Sequence, residues 1–300
     1  MNHIQKYLST CLLATAVSLV GASPAFAASP APSLGTASNF AVLSAAPNGG
    51  GAVTCTNSSI IGDVGSSGAP ASVTRTNCTI AGAVIAPVSA QVMADFNSAY
   101  DRYASVSCTG TLNTAYTDTA LTLTPGVYCN AAGVTFTNTT LTLDGQGDPN
   151  AAWIFKIGTF GTGALTGTNF SVVMTNGGEP CNVYWWAAQA VTMTTSGFQG
   201  TILSGAAITM TGLAGSTTPF NGDALAKAAV TLTNVTVSGC KASGGVGNSK
   251  GRCNQGVGNG PEGCDPGNSN QGTANPFGPN SNDEVGGVPG SPGRKGGNRR

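Results

Sequence analysis

The sequence predicts an all-β-dominated fold, a β-solenoid with one long α-helix packed alongside. Three observations point there: short alternating segments divided by Gly, Asn, Asp and Pro, a recurring apolar-Thr-apolar-Thr frame, and one stretch with helical period.

The alternating segments are "ALTLTPGVY" (Ala120 to Tyr128), "GVTFTNTTLTLDG" (Gly133 to Gly145), "AWIFKIG" (Ala152 to Gly158), "FSVVMT" (Phe170 to Thr175) and "NVYWWAA" (Asn182 to Ala188). Each has the period-2 pattern of a strand with one face in a core. In the pair Trp185 and Trp186, alternation sends one ring to the core and the other to solvent or under the helix.

The repeat shows in "GTILSGAAITMTG" (Gly200 to Gly212) and "GDALAKAAVTLTN" (Gly222 to Asn234), which share glycine, a short apolar strand, a small-residue corner and apolar-Thr-apolar-Thr. "NVYWWAAQAVTMTT" (Asn182 to Thr195) fits the frame, and "GVTFT" and "ALTGT" echo it upstream. The Val/Ile position recurs 17 residues from Val191 to Ile208 and 22 from there to Val230. Periods near 20 with variable corners describe coils that each stack on their neighbours.

The helix is expected over about residues 88–105. Val88, Val92, Met93, Phe96, Tyr100 and Tyr103 fall on one stripe, Asp95, Asp101 and Arg102 lie off it, and Pro87 or Ser89 starts it.

Alternation also assigns the threonines. If Val191 and Met193 face the core, Thr192 and Thr194 face water, and so do Thr135 with Thr137, Thr166 with Thr168, Thr209 with Thr211, and Thr231 with Thr233. Stacked coils turn these pairs into two columns, about 6.7 Å apart along a strand and about 4.8 Å from coil to coil. Gly167 stands where an apolar residue is expected, and the corner from Gly212 to Gly222 is longer than its upstream equivalent. Threonine is also an ordinary exposed strand residue. The near absence of charge on these faces, where charge normally guards a β-protein against association, suggests contact with something uncharged and periodic.

Asn2 to Lys6, the apolar run from Tyr7 to Val20 and the small-x-small Ala25-Phe26-Ala27 read as a secretory signal, residues 1–27, removed after Ala27. Removal takes away His3, the chain's single histidine, and Cys11. Residues 28–32 form a short leader, 33–240 the patterned domain, and 241–300 a Gly/Asn/Pro-rich tail expected to be flexible, ending in Arg294, Lys295, Arg299 and Arg300.

Cys55, Cys78, Cys108, Cys129, Cys181, Cys240, Cys253 and Cys264 then form an even set, which in an exported chain favours disulfides over metal ligation. Proximity suggests Cys55 with Cys78, Cys108 with Cys129 and Cys253 with Cys264, leaving Cys181 with Cys240, among the 105 connectivities eight cysteines allow.

Only 8% of residues are charged and the formal net charge is zero, so no basic patch offers itself to nucleic acid or an anionic membrane. No cofactor or metal cluster and no catalytic set is legible: Asp63, Asp118, Asp144, Asp148, Glu179 and Asp223 fall mostly beside Gly, Pro or Asn, as turn residues do. Asn57, Asn138 and Asn234 match the N-glycosylation pattern, as chance allows in an Asn/Thr-rich chain.

Six stretches carry a resemblance: "LGTASNFAVLS" (Leu34 to Ser44), "IIGDVGSS" (Ile60 to Ser67), "LTLTPGVY" (Leu121 to Tyr128), "LTLDGQGDPNAAWIFKIG" (Leu141 to Gly158), "CNVYWWAAQAVTM" (Cys181 to Met193) and "NGDALAKAAVTLTN" (Asn221 to Asn234). In this order they resemble the microbial ice-binding proteins, long catalogued as a domain of unknown function. The resemblance implies a right-handed discontinuous parallel β-solenoid with a long helix alongside. It also implies adsorption to the ice crystal surface through a flat face, here the ten threonines named above; with the signal segment and without a catalytic set, the chain is expected to be secreted, monomeric and not an enzyme. An extracellular structural or adhesive module using the same face for a polymer is the alternative.

Overall fold

The computed structural model describes residues 31–241; the signal segment, most of the leader, the tail from residue 242, Cys253 and Cys264 lie outside the described residues. Every strand pairing in it is parallel, and the coils present three sides.

The first side is a nine-stranded sheet in the spatial order Val84–Ile85, Asp63–Ser66, Phe40–Ser44, Ala224–Ala226, Thr201–Ser204, Val183–Ala187, Trp153–Ile157, Gly126–Asn130, Gly110–Thr111. The second is eight-stranded: Val73–Thr76, Val53–Thr56, Val230–Thr233, Ile208–Thr211, Val191–Thr194, Leu165–Thr168, Val134–Thr137, Ala115–Thr117. The third is split. Five strands (Phe198–Gln199, Thr218–Asn221, Val235–Ser238, Ser59–Ile61, Thr79–Ile80) and three (Ala120–Leu123, Thr140–Asp144, Ser171–Thr175) meet only at the bridge between Ser171 and Gly197.

Spatial order departs from chain order at one place. The strands before the helix form one end of the stack, the helix Ala90–Ser105 carries the chain back, and winding resumes at the other end with Gly110–Thr111. The last coil then docks on the first, with Leu225 in register with Leu43.

The helix begins two residues later than its apolar stripe suggests, because Ser89 caps it: its hydroxyl accepts from the Val92 N–H at 3.4 Å. Val92, Phe96, Ala99, Tyr100 and Tyr103 bury against the outer side of the nine-stranded sheet, on Leu43, Leu225, Leu203, Trp186 and Ile154. The two tryptophans divide accordingly: Trp185 is fully buried in the solenoid core and Trp186 lies under the helix, 5.2 Å from the Tyr100 ring. Lys156, only 5% exposed on the same sheet, donates to the Val106 carbonyl at the helix C-terminus. The negative end of the helix dipole meets the ammonium there, while burial lowers its pKa.

Inside the coils Phe155 stacks on Trp185 at 3.9 Å and Phe136 on Phe170 at 4.3 Å. Gly167 is part of this packing: a Cβ there would lie 2.5 Å from the Met193 sulfur and 3.2 Å from Phe170. Its missing side chain leaves room for neighbouring large ones, so the inward row stays filled.

Disulfides join Cys55 to Cys78, Cys108 to Cys129 and Cys181 to Cys240, with Cα separations of 5.8, 5.9 and 5.5 Å. The first two tie each end coil, which has one neighbour instead of two, to the coil beside it.

Asp223 departs from the turn-residue reading. It is 2% exposed beside the start of Ala224–Ala226, accepting from the Cys240 N–H at 2.9 Å and from the Thr201 hydroxyl at 3.2 Å. Burial pushes its pKa up to about 6 against those two hydrogen bonds. The neighbouring Gly222 marked a turn, but the turn folds inward here.

Candidate functional site

On the eight-stranded side, alternation places Val53, Val134, Leu165, Val191, Ile208 and Val230 in the core, each 1% exposed or less. The threonines between face outward and none is buried. Thr135 is in register with Thr166, Thr166 with Thr192, Thr192 with Thr209 and Thr209 with Thr231, and Thr137, Thr168, Thr194, Thr211 and Thr233 pair in the same order two residues further on. All ten threonines expected from the sequence therefore share one surface.

The surface is longer than those ten. Thr54 continues the first column beyond Thr231 and Thr74 follows it, while Thr56 and Thr76 continue the second. At the opposite end Thr117 extends the second column beyond Thr137, and Ala115 closes the first. The signal for these residues lay in "VTCT" and "VTRT", which fit the frame apart from Cys55 and Arg75. Only the return of the chain along the helix makes these strands neighbours of Val230–Thr233.

Coil spacing of about 4.8 Å exceeds a hydroxyl hydrogen bond, so the columns do not consume their own hydroxyls. Among the described residues the one bond between column threonines is Thr74 to Thr54 at 3.3 Å, at the edge of the array. Arg75 is the one charged residue on these eight strands.

The corner after the second column is built the same way in most coils. Asn57, Asn77, Asp118, Asn138, Asn169 and Asn234 have φ between 49° and 55°, the left-handed region that Asn and Asp tolerate best among residues with a Cβ. Their side chains form ladders: Asn77 donates to Asn57 at 3.0 Å, Asn138 to Asp118 at 2.9 Å and Asn169 to Asn138 at 3.0 Å. One residue later Ser58, Thr119 and Thr139 donate to the carbonyls of Thr56, Thr117 and Thr137 at 2.8, 2.7 and 2.9 Å. The backbone under the second column is thereby pinned. The glycosylation-like matches at Asn57, Asn138 and Asn234 thus arise from the corner's own requirements.

Neither other side offers such a surface. The nine-stranded sheet lies beneath the helix, and the third side is divided and mixes Thr and Ser with Ile61 and Val173, 42% and 40% exposed. No helix among the described residues is long and apolar enough to cross a membrane.

The ice-binding-like family model matches residues 47–238. An ice-binding protein of Nostoc sp. (strain HG1) is 38% identical over 182 residues, covering 59% of this chain and 64% of the relative. Ice-binding protein 1 of Shewanella frigidimarina (strain NCIMB 400) is 44% identical over 85 residues, 28% of this chain and 9% of that one. The chain thus spans less than two thirds of the length of these curated relatives. Among solved structures, the ice-binding protein of the Antarctic ascomycete Antarctomyces psychrotrophicus superposes with a TM-score of 0.59 at 28% identity, covering 69% of this chain and 98% of that one. One from an Antarctic Flavobacteriaceae bacterium superposes with a TM-score of 0.59 at 35% identity, covering 69% and 47%. With the family model matched across most of the solenoid, the chain belongs to the ice-binding-like family.

Proposed function

We propose that this protein adsorbs to ice through the two threonine columns, from Thr74 and Thr76 at one end to Thr135 and Thr117 at the other, and that it acts outside the cell after loss of residues 1–27. The register of Thr209 with Thr192 and Thr231, at the middle of a sheet whose one charge, Arg75, lies on its edge strand, carries the reading. One threonine supplies a hydroxyl hydrogen bond of about 0.5–1.5 kcal/mol net and a methyl of about 0.8 kcal/mol when removed from water. Neither holds a protein on ice. Summed over the columns they exceed an association cost of roughly 4–15 kcal/mol, provided the array is ordered before contact. Parallel pairing, the pinned corners and the end disulfides supply that order. The surface has no chemistry to perform: adsorption needs spacing, not a nucleophile, and the reading includes no catalysis. Thr209→Tyr should keep the fold and lower thermal hysteresis several-fold; full hysteresis in a folded variant removes this face from the reading.

A further inference from the structure

Among the described residues an interior coil is covered on both sides, whereas each terminal coil leaves parallel edge strands unpaired. These are Val73–Thr76, Thr79–Ile80 and Val84–Ile85 at one end, and Gly110–Thr111, Ala115–Thr117 and Ala120–Leu123 at the other. Because every pairing is parallel, a second copy stacked head to tail would continue the sheets and lengthen both threonine columns. Half-buried Val73 and Ile80 at one end, and Tyr116, Leu121 and Leu123 at the other, offer apolar surface for it.

Each terminal coil carries a single charge, and each charge sits where the repeat is elsewhere neutral. Across residues 69–88 that charge is Arg75, and across residues 106–125 it is Asp118. Arg75 is in register with Cys55, in the inward row that Leu232, Met210, Met193, Gly167 and Phe136 fill in other coils. It is nonetheless exposed, since among the described residues no strand lies beyond it. A second copy in register would set Tyr116 over it and enclose the guanidinium. Asp118 of that copy, at the outer corner beyond the strand, is on the wrong side of the backbone to serve as counter-charge. An unpaired buried cation is strongly unfavourable.

Asp118 acts in the corner ladder. Three amides there donate along the ladder, all toward the same end of the stack: Asn77 to Asn57, Asn169 to Asn138 and Asn138 to Asp118. In a head-to-tail stack the next residue beyond Asn77 is Asp118 of the second copy. Asn77 has already directed its amide N–H to Asn57, so its carbonyl oxygen would face a carboxylate with no donor between them.

We propose that Arg75 and Asp118 hold the two ends of the solenoid closed to a second copy of this chain, so that the molecule stays one stack of finite length. The edge strands of two to four residues at these ends are short in the same sense.

The test is sedimentation and electron microscopy of Arg75→Leu combined with Asp118→Asn, in the full chain. At concentrations where the parent is monomeric, the variant should show at least a doubling of mass and rod-shaped particles. Arg75→Lys with Asp118→Glu should stay monomeric. Arg75→Thr with Asp118→Asn gives a second route if leucine impairs folding. A monomeric, fully folded neutral variant, amorphous aggregate in place of rods, or a parent that already stacks end to end would each overturn the proposal. Mass is the readout, so the outcome is independent of ice activity.

Discussion

Thr54 and Thr231 come from opposite ends of the folded chain and are register partners on adjacent strands. Their pairing joins the coils before the helix to the coils after it, and makes one face of two stretches of sequence. Thr54→Tyr should therefore lower thermal hysteresis as Thr209→Tyr does, at least two-fold. Undiminished hysteresis would confine the working surface to the strands after the helix.

Gly167→Val is predicted to destabilise the fold by about 1–3 kcal/mol, because its side chain must enter space held by Met193 and Phe170. Urea denaturation measures this. A variant as stable as the parent would mean that the Phe136–Phe170 stack yields easily.

Asp223 links stability to pH. Its folded-state pKa of about 6 exceeds the 3.8 of a free aspartate side chain, so the native state holds its proton more tightly than the unfolded chain does. The group's contribution is most favourable below about pH 4 and is lost as pH rises through about 6, on the order of 2–3 kcal/mol in all. Asp223→Asn, which can accept from Cys240 and donate to Thr201, should raise the melting temperature at about pH 8 and leave it unchanged at about pH 3. A melting curve lowered equally at both would show a role for the carboxylate that charge does not describe.

The end disulfides should matter most at the ends. Replacing Cys55 and Cys78, or Cys108 and Cys129, with serine is predicted to cost about 3 kcal/mol per bridge. Hydrogen exchange should rise first in residues 73–80 or in residues 110–117, and last in Val191–Thr194. Uniform loss of protection across the stack would show instead that the coils unfold as one unit.

Much of this was legible because the repeat is local. Val191, Thr192, Met193 and Thr194 state their own alternation, and the 17-residue step to Ile208 names the next coil. The helix declared itself through Val92, Phe96, Tyr100 and Tyr103, and lost its first two residues only to the Ser89 cap. What stayed hidden depended on contacts far apart in sequence. Thr54 and Thr74 reach the face only through the chain's return, and Asp223 is buried by Cys240 arriving from the domain's last turn. Arg75 broke the apolar pattern that would have revealed its strand, because it sits on an end coil that no other described strand covers.

In the proposed function ice meets the eight-stranded side and not the others. The direct measurement is ice-affinity partition of the purified parent, Thr209→Tyr, and Thr142→Tyr, the last placing the same ring on the three-stranded part of the third side. The parent and Thr142→Tyr should enter growing ice alike while Thr209→Tyr is left in the liquid. Exclusion of Thr142→Tyr with entry of Thr209→Tyr, or a parent that stays in the liquid, would contradict adsorption through the eight-stranded side.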